Sequence, residues 1–99
     1  MSRDWRAQER SIAKDLHGTR NAGSGAFSRK GDVRADGVLV EAKWTGKKSM
    51  TLQSSVLEKI VAEALIEDRM PILHIELNQR GYALLEWDDL LGLLLRDPI

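Results

Sequence analysis

Hydrophobic and polar residues follow two different periods along this chain. Over residues 3–17, apolar side chains recur every three to four positions, a spacing that predicts an amphipathic helix. A wider apolar face over residues 49–69 predicts a second, longer helix, which ends before Pro71. Three other segments carry short apolar runs bounded by Gly, Asn or Asp and are predicted to form β-structure: residues 32–44, 71–77 and 82–87.

The order of these elements predicts a mixed sheet flanked by helices. The short segment 19–21 can add one strand after the first helix, and Asp88 and Asp89 open a short C-terminal helix. The resulting order is helix, two or three strands, helix, two strands and helix, which is typical of the α/β or α+β class. The length predicts a single domain over residues 1–99, in which the apolar run 90–95 closes the core or forms a dimer contact.

The predicted hairpin brings charged side chains together. Asp36-Gly37 is a strong signal for a two-residue turn, and this turn places Asp32 directly opposite Glu41. Directly opposed residues have Cβ atoms roughly 5 Å apart on one side of the sheet, so two carboxylates placed there repel each other. Lys43 lies two residues beyond Glu41 and therefore shares this face.

A glutamate lies on the apolar stripe of the first predicted helix. Glu9 shares its helical face with Ile12 and Leu16, so its carboxylate is directed inward. An inward carboxylate is costly unless a cation accompanies it. The alternative is a glutamate at the edge of the helix that reaches water or pairs with Arg6 or Arg10.

These charged residues predict a site for a hard divalent cation. Carboxylate oxygens are the ligands that Mg²⁺ prefers, so Asp32 and Glu41, with Glu9 as a third donor, would hold this ion. Mn²⁺ is expected to substitute for it. The ammonium of Lys43 would orient water or steady the charge that builds on a phosphate, as in metal-assisted phosphodiester hydrolysis. The alternative is a surface salt bridge between Lys43 and one acid, with the register shifted by a bulge.

The charge distribution favours a polyanionic partner. Residues 1–48 carry eleven Lys or Arg and six Asp or Glu, a balance of +5, whereas residues 49–99 carry four and nine, a balance of −5. Such an asymmetry predicts a basic surface for nucleic acid, although the two halves of one small domain could also pair with each other. Six residues of the basic half are candidate DNA contacts: Arg20, Ser24, Arg29, Lys30, Lys47 and Lys48. The first four lie in a glycine-rich segment that ordinary surface polarity would also explain.

The composition excludes several classes of protein. The chain has no cysteine, which removes disulfides, thiolate nucleophiles and cysteine-based zinc sites. No run of 18 apolar residues exists and the N-terminal segment is not a signal peptide. We therefore expect no membrane span and a cytoplasmic location.

At the charged hairpin the sequence resembles the PD-(D/E)XK nuclease superfamily, which has the restriction-endonuclease-like fold. The shared motif is Asp32, eight intervening residues, and then Glu41-Ala42-Lys43 after an apolar strand. The order of elements is also similar to the core of that fold, which is helix, three strands, helix and strand. The resemblance covers roughly residues 5–75.

Within the superfamily, the chain looks most like archaeal-type Holliday junction resolvases and their small phage relatives. These proteins begin with a helix that carries a metal-binding glutamate, which corresponds to Glu9. They continue with an Arg-containing Ser-Gly loop, which corresponds to RNAGSG at residues 20–25, where Ser24 would help to position DNA. The chain departs from the pattern at Gly31, since a proline often precedes the aspartate of the motif.

The resemblance implies a Mg²⁺-dependent DNA endonuclease that acts on branched DNA such as a four-way junction. It implies that Glu9, Asp32 and Glu41 hold the metal and that Lys43 activates or orients water. A symmetric cut of two strands implies a two-fold homodimer, and a phage-encoded protein would work in the host cytoplasm. Two alternatives remain open: a catalytically inert nucleic-acid-binding or assembly protein of the same fold, and a nuclease that acts on duplex, flap or nicked DNA.

Overall fold

A computed structural model describes residues 4–20 and 32–96, with Arg20 described through its backbone alone. The elements follow in this order: α1 Trp5–Leu16, β1 Thr19–Arg20, β2 Asp32–Ala35, β3 Val38–Thr45, α2 Ser54–Ile66, β4 Met70–Leu77, β5 Arg80–Leu84 and α3 Trp87–Leu94. This arrangement confirms the predicted class, a mixed sheet accompanied by helices. Among these described helices, none is both long and apolar enough to cross a membrane.

The sheet has five strands in the order β1-β2-β3-β4-β5. Neighbouring strands are antiparallel except β3 and β4, which are parallel because α2 carries the chain back across the sheet between them. Two tight turns close the antiparallel hairpins. Asn78 and Gln79 have φ values of 50° and 64°, as the two central residues of a type I′ hairpin turn require. In the Asp36-Gly37 turn only Gly37 has a positive φ, of 78°, a conformation that glycine adopts without steric cost.

Two small apolar cores lie on opposite faces of the sheet. On one face, Ile12 of α1 packs with Val33 and Val40, all of them buried. On the other face, Leu39 packs against Ile60 and another buried residue of α2. Because side chains alternate along a strand, neighbouring residues of β3 belong to different faces, and each helix covers one of them.

The first helix begins at Trp5, two residues later than the range 3–17 predicts. Its N-cap is Asp4, whose carboxylate accepts a hydrogen bond from the backbone N–H of Ala7 at 3.0 Å. That hydrogen bond lowers the pKa of Asp4. The helix ends at Leu16, where His17 adopts a left-handed backbone with a φ of 53°.

The second helix is shorter than its apolar face predicts. It begins at Ser54 and ends at Ile66, inside the predicted range 49–69. The residues before Ser54 form the connection that leads from the end of β3 to the face of the sheet, which sequence periodicity does not reveal. Pro71 lies inside β4, in the part of the strand that β5 does not reach, where the missing N–H is tolerated.

An ion-pair network holds the β2–β3 hairpin against the end of α2. The Arg34 guanidinium donates two hydrogen bonds of 2.7 Å to the carboxylate of Glu67, which also lies 3.2 Å from Nε of Arg69. These charge-assisted bonds lower the pKa of Glu67, chiefly through Arg34. The network lies toward the turn end of the hairpin, and Arg34 also interacts electrostatically with Asp32 on the same face of β2.

Candidate active site

The open end of the β2–β3 hairpin carries two buried carboxylates in direct register. Asp32 and Glu41 are Cα partners across the antiparallel pair, which is the register predicted from the Asp36-Gly37 turn. Asp32 is 2 % exposed and Glu41 is 8 % exposed. Opposed side chains leave a sheet on the same side, so the two acids share one face with their Cβ atoms roughly 5 Å apart.

Lys43 is the cation that β3 itself supplies to this pair. It follows Glu41 by two residues on the same strand and is partly exposed. By strand alternation its side chain leaves the sheet on the face of the two acids. Oε2 of Glu41 is buried and has no hydrogen-bond partner within residues 4–20 and 32–96. The site therefore contains an acceptor atom that a cation or a donor group from a ligand could satisfy.

Among the described residues, the acids lie at a step in the sheet. In the described chain β2 starts at Asp32, whereas β3 continues past Glu41 to Thr45 with only β4 at its side. The step lies toward the carboxyl ends of the two parallel strands β3 and β4. Ligands of open α/β sheets bind at such ends, where loops and side chains converge without a covering strand.

Glu9 is directed inward as predicted, since it is 4 % exposed on a helix that packs against β2 and β3. However, α1 covers the face that contains Val33 and Val40, and strand alternation places Asp32 and Glu41 on the opposite face. Residues 4–20 and 32–96 contain no group of three or more His, Cys, Asp or Glu side chains that could hold one ion. Metal binding by Glu9 therefore stays a prediction.

Gln8 was not predicted to take part in the site, yet it is fully buried. Its Nε2 lies 3.0 Å from the backbone carbonyl oxygen of Lys43, 3.2 Å from that of His74, and 3.0 Å from Nδ1 of His74. The amide thus bridges α1, β3 and β4 beside the strand position that carries the candidate lysine. The i,i+4 spacing to Ile12 is compatible with an inward side chain, but a polar residue at that position equally suits an exposed edge.

Glu76 is a further buried carboxylate that the sequence did not single out. It is 3 % exposed and stands beside Trp44 in the parallel register of β3 and β4. By alternation it shares its face with His74, on the side covered by α1. Buried polar groups thus occupy both faces of one end of the sheet.

The candidate DNA contacts fall partly within the described chain. Lys47 and Lys48 are exposed and follow β3 directly, so they lie at the same end of the sheet as the carboxylate pair. Arg20 ends β1, with Val33 as its Cα partner. Ser24, Arg29 and Lys30 lie outside the described residues, and their contacts with DNA stay predictions.

The donor set suits a hard cation. Asp32 and Glu41 offer only carboxylate oxygens, and Oε2 of Glu41 is a buried acceptor without a hydrogen-bond partner among the described residues. Mg²⁺ is commonly held by one or two carboxylates, with water and substrate phosphate as its remaining ligands. A pair of acids is therefore sufficient for a magnesium site that is completed by a nucleic-acid substrate.

Comparisons of the chain with models of protein families, with curated proteins and with solved structures find no match. A functional assignment therefore depends on the residues and the geometry described above.

Proposed function

We propose that this protein is a Mg²⁺-dependent DNA endonuclease with a restriction-endonuclease-like core, related in mechanism to Holliday junction resolvases. The observation that carries the proposal is the buried, directly opposed pair Asp32 and Glu41, followed by Lys43 on the same strand. The order of helix, three strands, helix and parallel strand supports it.

The energetics of the pair favour a functional role. Two unit charges 5 Å apart repel by about 3 kcal/mol at an effective dielectric constant of about 20. Burial adds a desolvation cost for each carboxylate, because Asp32 and Glu41 are both more than nine-tenths buried. A strand pair selected only for stability would contain residues without this repulsion, so the acids point to a ligand that carries positive charge.

In the proposed mechanism, Asp32 and Glu41 hold the ion, and Lys43 acts beside them. Bound there, Mg²⁺ would polarise the scissile phosphodiester and favour the hydroxide form of the attacking water. The Lys43 ammonium would donate hydrogen bonds that orient this water or a phosphate oxygen and would stabilise the negative charge of the transition state. Glu9 lies on α1, which covers the opposite face of the sheet, so this mechanism uses the Asp32 and Glu41 pair without it.

Basic residues around the same end of the sheet would hold the DNA backbone. Lys47 and Lys48 are exposed there, and Arg20, Ser24, Arg29 and Lys30 are the remaining proposed contacts. Phosphate contacts of this kind make affinity fall steeply with salt concentration. A DNA substrate also agrees with a cytoplasmic location in a prokaryotic or phage-infected cell.

The test is cleavage of a labelled four-way DNA junction with Mg²⁺, with Mn²⁺ and with EDTA. Metal-dependent nicking by the wild type that is lost in Asp32→Asn and in Glu41→Gln is expected. Asp36→Asn is the matched control, because it removes one carboxylate from the exposed turn of the same hairpin. Equal cleavage by Asp32→Asn and Asp36→Asn would contradict the proposal.

The preferred DNA geometry is tested with the same enzyme on junction, flap, nicked and linear duplex substrates of equal length. A resolvase-like function predicts the fastest cleavage on the junction, with paired cuts on opposing strands. Faster cleavage of flap, nicked or linear DNA would support metal-dependent hydrolysis but would contradict a preference for the four-way junction.

A second candidate function is a catalytically inert nucleic-acid-binding or assembly protein of the same fold. The observation that favours it is the pair of exposed lysines after β3, Lys47 and Lys48, which would hold a nucleic-acid backbone with or without cleavage. It predicts tight, salt-sensitive binding of DNA with no cutting under Mg²⁺ or Mn²⁺, and binding unchanged by Asp32→Asn.

A further inference from the structure

The C-terminal helix leaves its apolar side chains in solvent. Helix α3, Trp87–Leu94, has no buried residue, and Trp87, Leu94 and the following Leu95 are 66 %, 67 % and 74 % exposed. Isolated helices shorter than about 12 residues are marginal in water, because nucleation is costly and tertiary contacts supply most of their stability. An eight-residue helix with this composition therefore needs a partner that covers its apolar side.

Next to α3 lies an apolar groove with a volume of about 540 Å³. It is formed by α2, by β4 and by the chain at the end of β5, and its apolar lining includes these residues: Leu57, Ile60, Val61, Leu73, Leu84 and Leu85. At the end of α2, Leu65 also lines the groove and is 78 % exposed, and Ile66 beside it is 85 % exposed. The two residues that separate β5 from α3, Leu85 and Glu86, both line the groove, so α3 begins at its edge.

The size of this surface is in the range of a protein interface. If a large apolar side chain exposes on the order of 100 Å², the half- to mostly-exposed residues of α2 and α3 together present about 500 Å². A monomer seldom exposes more than a few hundred Å² of contiguous apolar surface. With its polar rim, this surface approaches the roughly 800 Å² that each partner of a stable complex buries.

The charges at the two ends of α3 suit a second copy of the same helix. Asp88 and Asp89 lie in its first turn, and Arg96 follows its last turn. When two such helices pack antiparallel across a two-fold axis, Asp88 and Asp89 at the start of each helix lie beside Arg96 at the end of the other. The same pairing occurs twice by symmetry, as an isologous interface requires.

We propose that α3 and the adjacent groove form a two-fold interface between two copies of this chain. The two α3 helices pack antiparallel, and their apolar side chains cover the groove of the opposite copy. This assignment goes beyond the proposed function and does not depend on it, since association is measured without DNA. If the protein is a nuclease, the dimer carries two carboxylate pairs, one for each strand of a two-strand cut.

The association is tested by sedimentation equilibrium and light scattering on the full chain, with no DNA or added metal. The wild type is expected to be dimeric at about 10 µM, whereas Leu94→Glu should weaken dimerisation by about 100-fold or more, as expected for a charge in an apolar interface centre. Leu16→Glu is the matched control, because Leu16 is a 41 % exposed leucine on α1, at the opposite face of the sheet. Leu65→Glu on α2 tests the groove side of the interface. It replaces Leu94→Glu as the test if Leu94→Glu does not fold, as judged by the absence of a cooperative unfolding transition.

Three results would overturn the proposal. One is a wild type that stays monomeric at about 100 µM, well above the range of specific dimers. Another is a dimer that persists in both Leu94→Glu and Leu65→Glu, which would place the interface elsewhere. The third is equal loss of association in Leu16→Glu, which would indicate a general effect of added charge.

The antiparallel arrangement has its own test in a charge exchange. Asp88→Arg and Arg96→Asp should each weaken the dimer several-fold, since exposed ion pairs contribute modestly and each occurs twice. The double variant Asp88→Arg with Arg96→Asp should restore the wild-type association. Failure of the double variant to improve on either single variant would refute the antiparallel pairing.

Discussion

Replacing Glu41 with glutamine should stabilise the metal-free protein, although it removes a group that we place in the active site. Glutamine keeps the size and shape of the side chain and removes only its charge. Glu41 is 8 % exposed, and its carboxylate lies directly opposite that of the buried Asp32. In the absence of metal, the fold therefore carries a repulsion that this substitution relieves.

The magnitude follows from the strand geometry. The repulsion from Asp32 at about 5 Å costs about 3 kcal/mol at an effective dielectric constant of about 20. Attraction to Lys43, which lies two residues along the strand at about 6.6 Å, offsets about 2.5 kcal/mol of this repulsion. The remaining difference, together with relief from burying a charge, predicts a gain of about 1–2 kcal/mol for Glu41→Gln. This corresponds to a rise in Tm of about 5–10 °C for a domain of this size.

Removal of the Lys43 ammonium should change the free energy of unfolding in the opposite direction. Lys43→Met removes the attraction that this ammonium supplies to the acids of its face, so we expect a loss of about 2 kcal/mol. Added Mg²⁺ should stabilise the wild type by about 1.4 kcal/mol when the ion is present at about ten times its Kd. The same ion should leave the Tm of Glu41→Gln nearly unchanged, because one of the two ligands is gone.

The assay is urea and thermal unfolding followed by circular dichroism at pH 7, with EDTA and then with Mg²⁺. Asp36→Asn, at the exposed turn of the same hairpin, provides the control for loss of one negative charge. A decrease in the free energy of unfolding of more than about 1 kcal/mol in Glu41→Gln would refute the reasoning. It would mean that the carboxylate has stabilising partners and that the pair needs no cation.

Three further substitutions test other parts of the fold. Gln8→Met leaves two buried carbonyl oxygens without the donor that bridges them, so urea unfolding should show a loss of about 1–3 kcal/mol. Because Arg34 lowers the pKa of Glu67, this carboxylate stabilises the fold above its unfolded pKa of about 4.3, and the contribution disappears as the pH falls through the lower folded pKa. Glu67→Gln should therefore lower stability at pH 7 and reduce its pH dependence below about pH 5, and unchanged pH dependence would contradict the ion pair. Gly18→Ala should cost about 1–3 kcal/mol, because the new Cβ would lie 2.5 Å from the carbonyl oxygen of Arg34. Gly92→Ala, which meets no atom within 4 Å, is its control and should be neutral or stabilising in the same unfolding measurement.

Much of the candidate site follows from local rules. The two-residue turn at Asp36-Gly37 sets which residues of the hairpin face each other, so the register of Asp32 and Glu41 could be predicted without any tertiary information. The burial of Glu9 follows in the same way from helical periodicity. Each of these predictions depends on residues that are near in sequence.

The parts that were missed depend on contacts between distant segments. Gln8 and His74 meet across 66 positions, and nothing near either residue distinguishes this contact from an exposed polar side chain. The late start of α2 reflects the path that the chain must take over the sheet, and Glu76 is buried on the face of the central strand β4 that α1 covers.

The sequence by itself thus determined the order of the helices and strands, the hairpin register and the pairing of two like charges, because turn geometry and side-chain periodicity act over a few residues. Only the tertiary structure decided which helix covers which face, how Gln8 ties α1 to β3 and β4, and that α3 leaves its leucines exposed beside a groove. These features depend on which distant surfaces meet, and many pairings of apolar faces are compatible with the same local pattern.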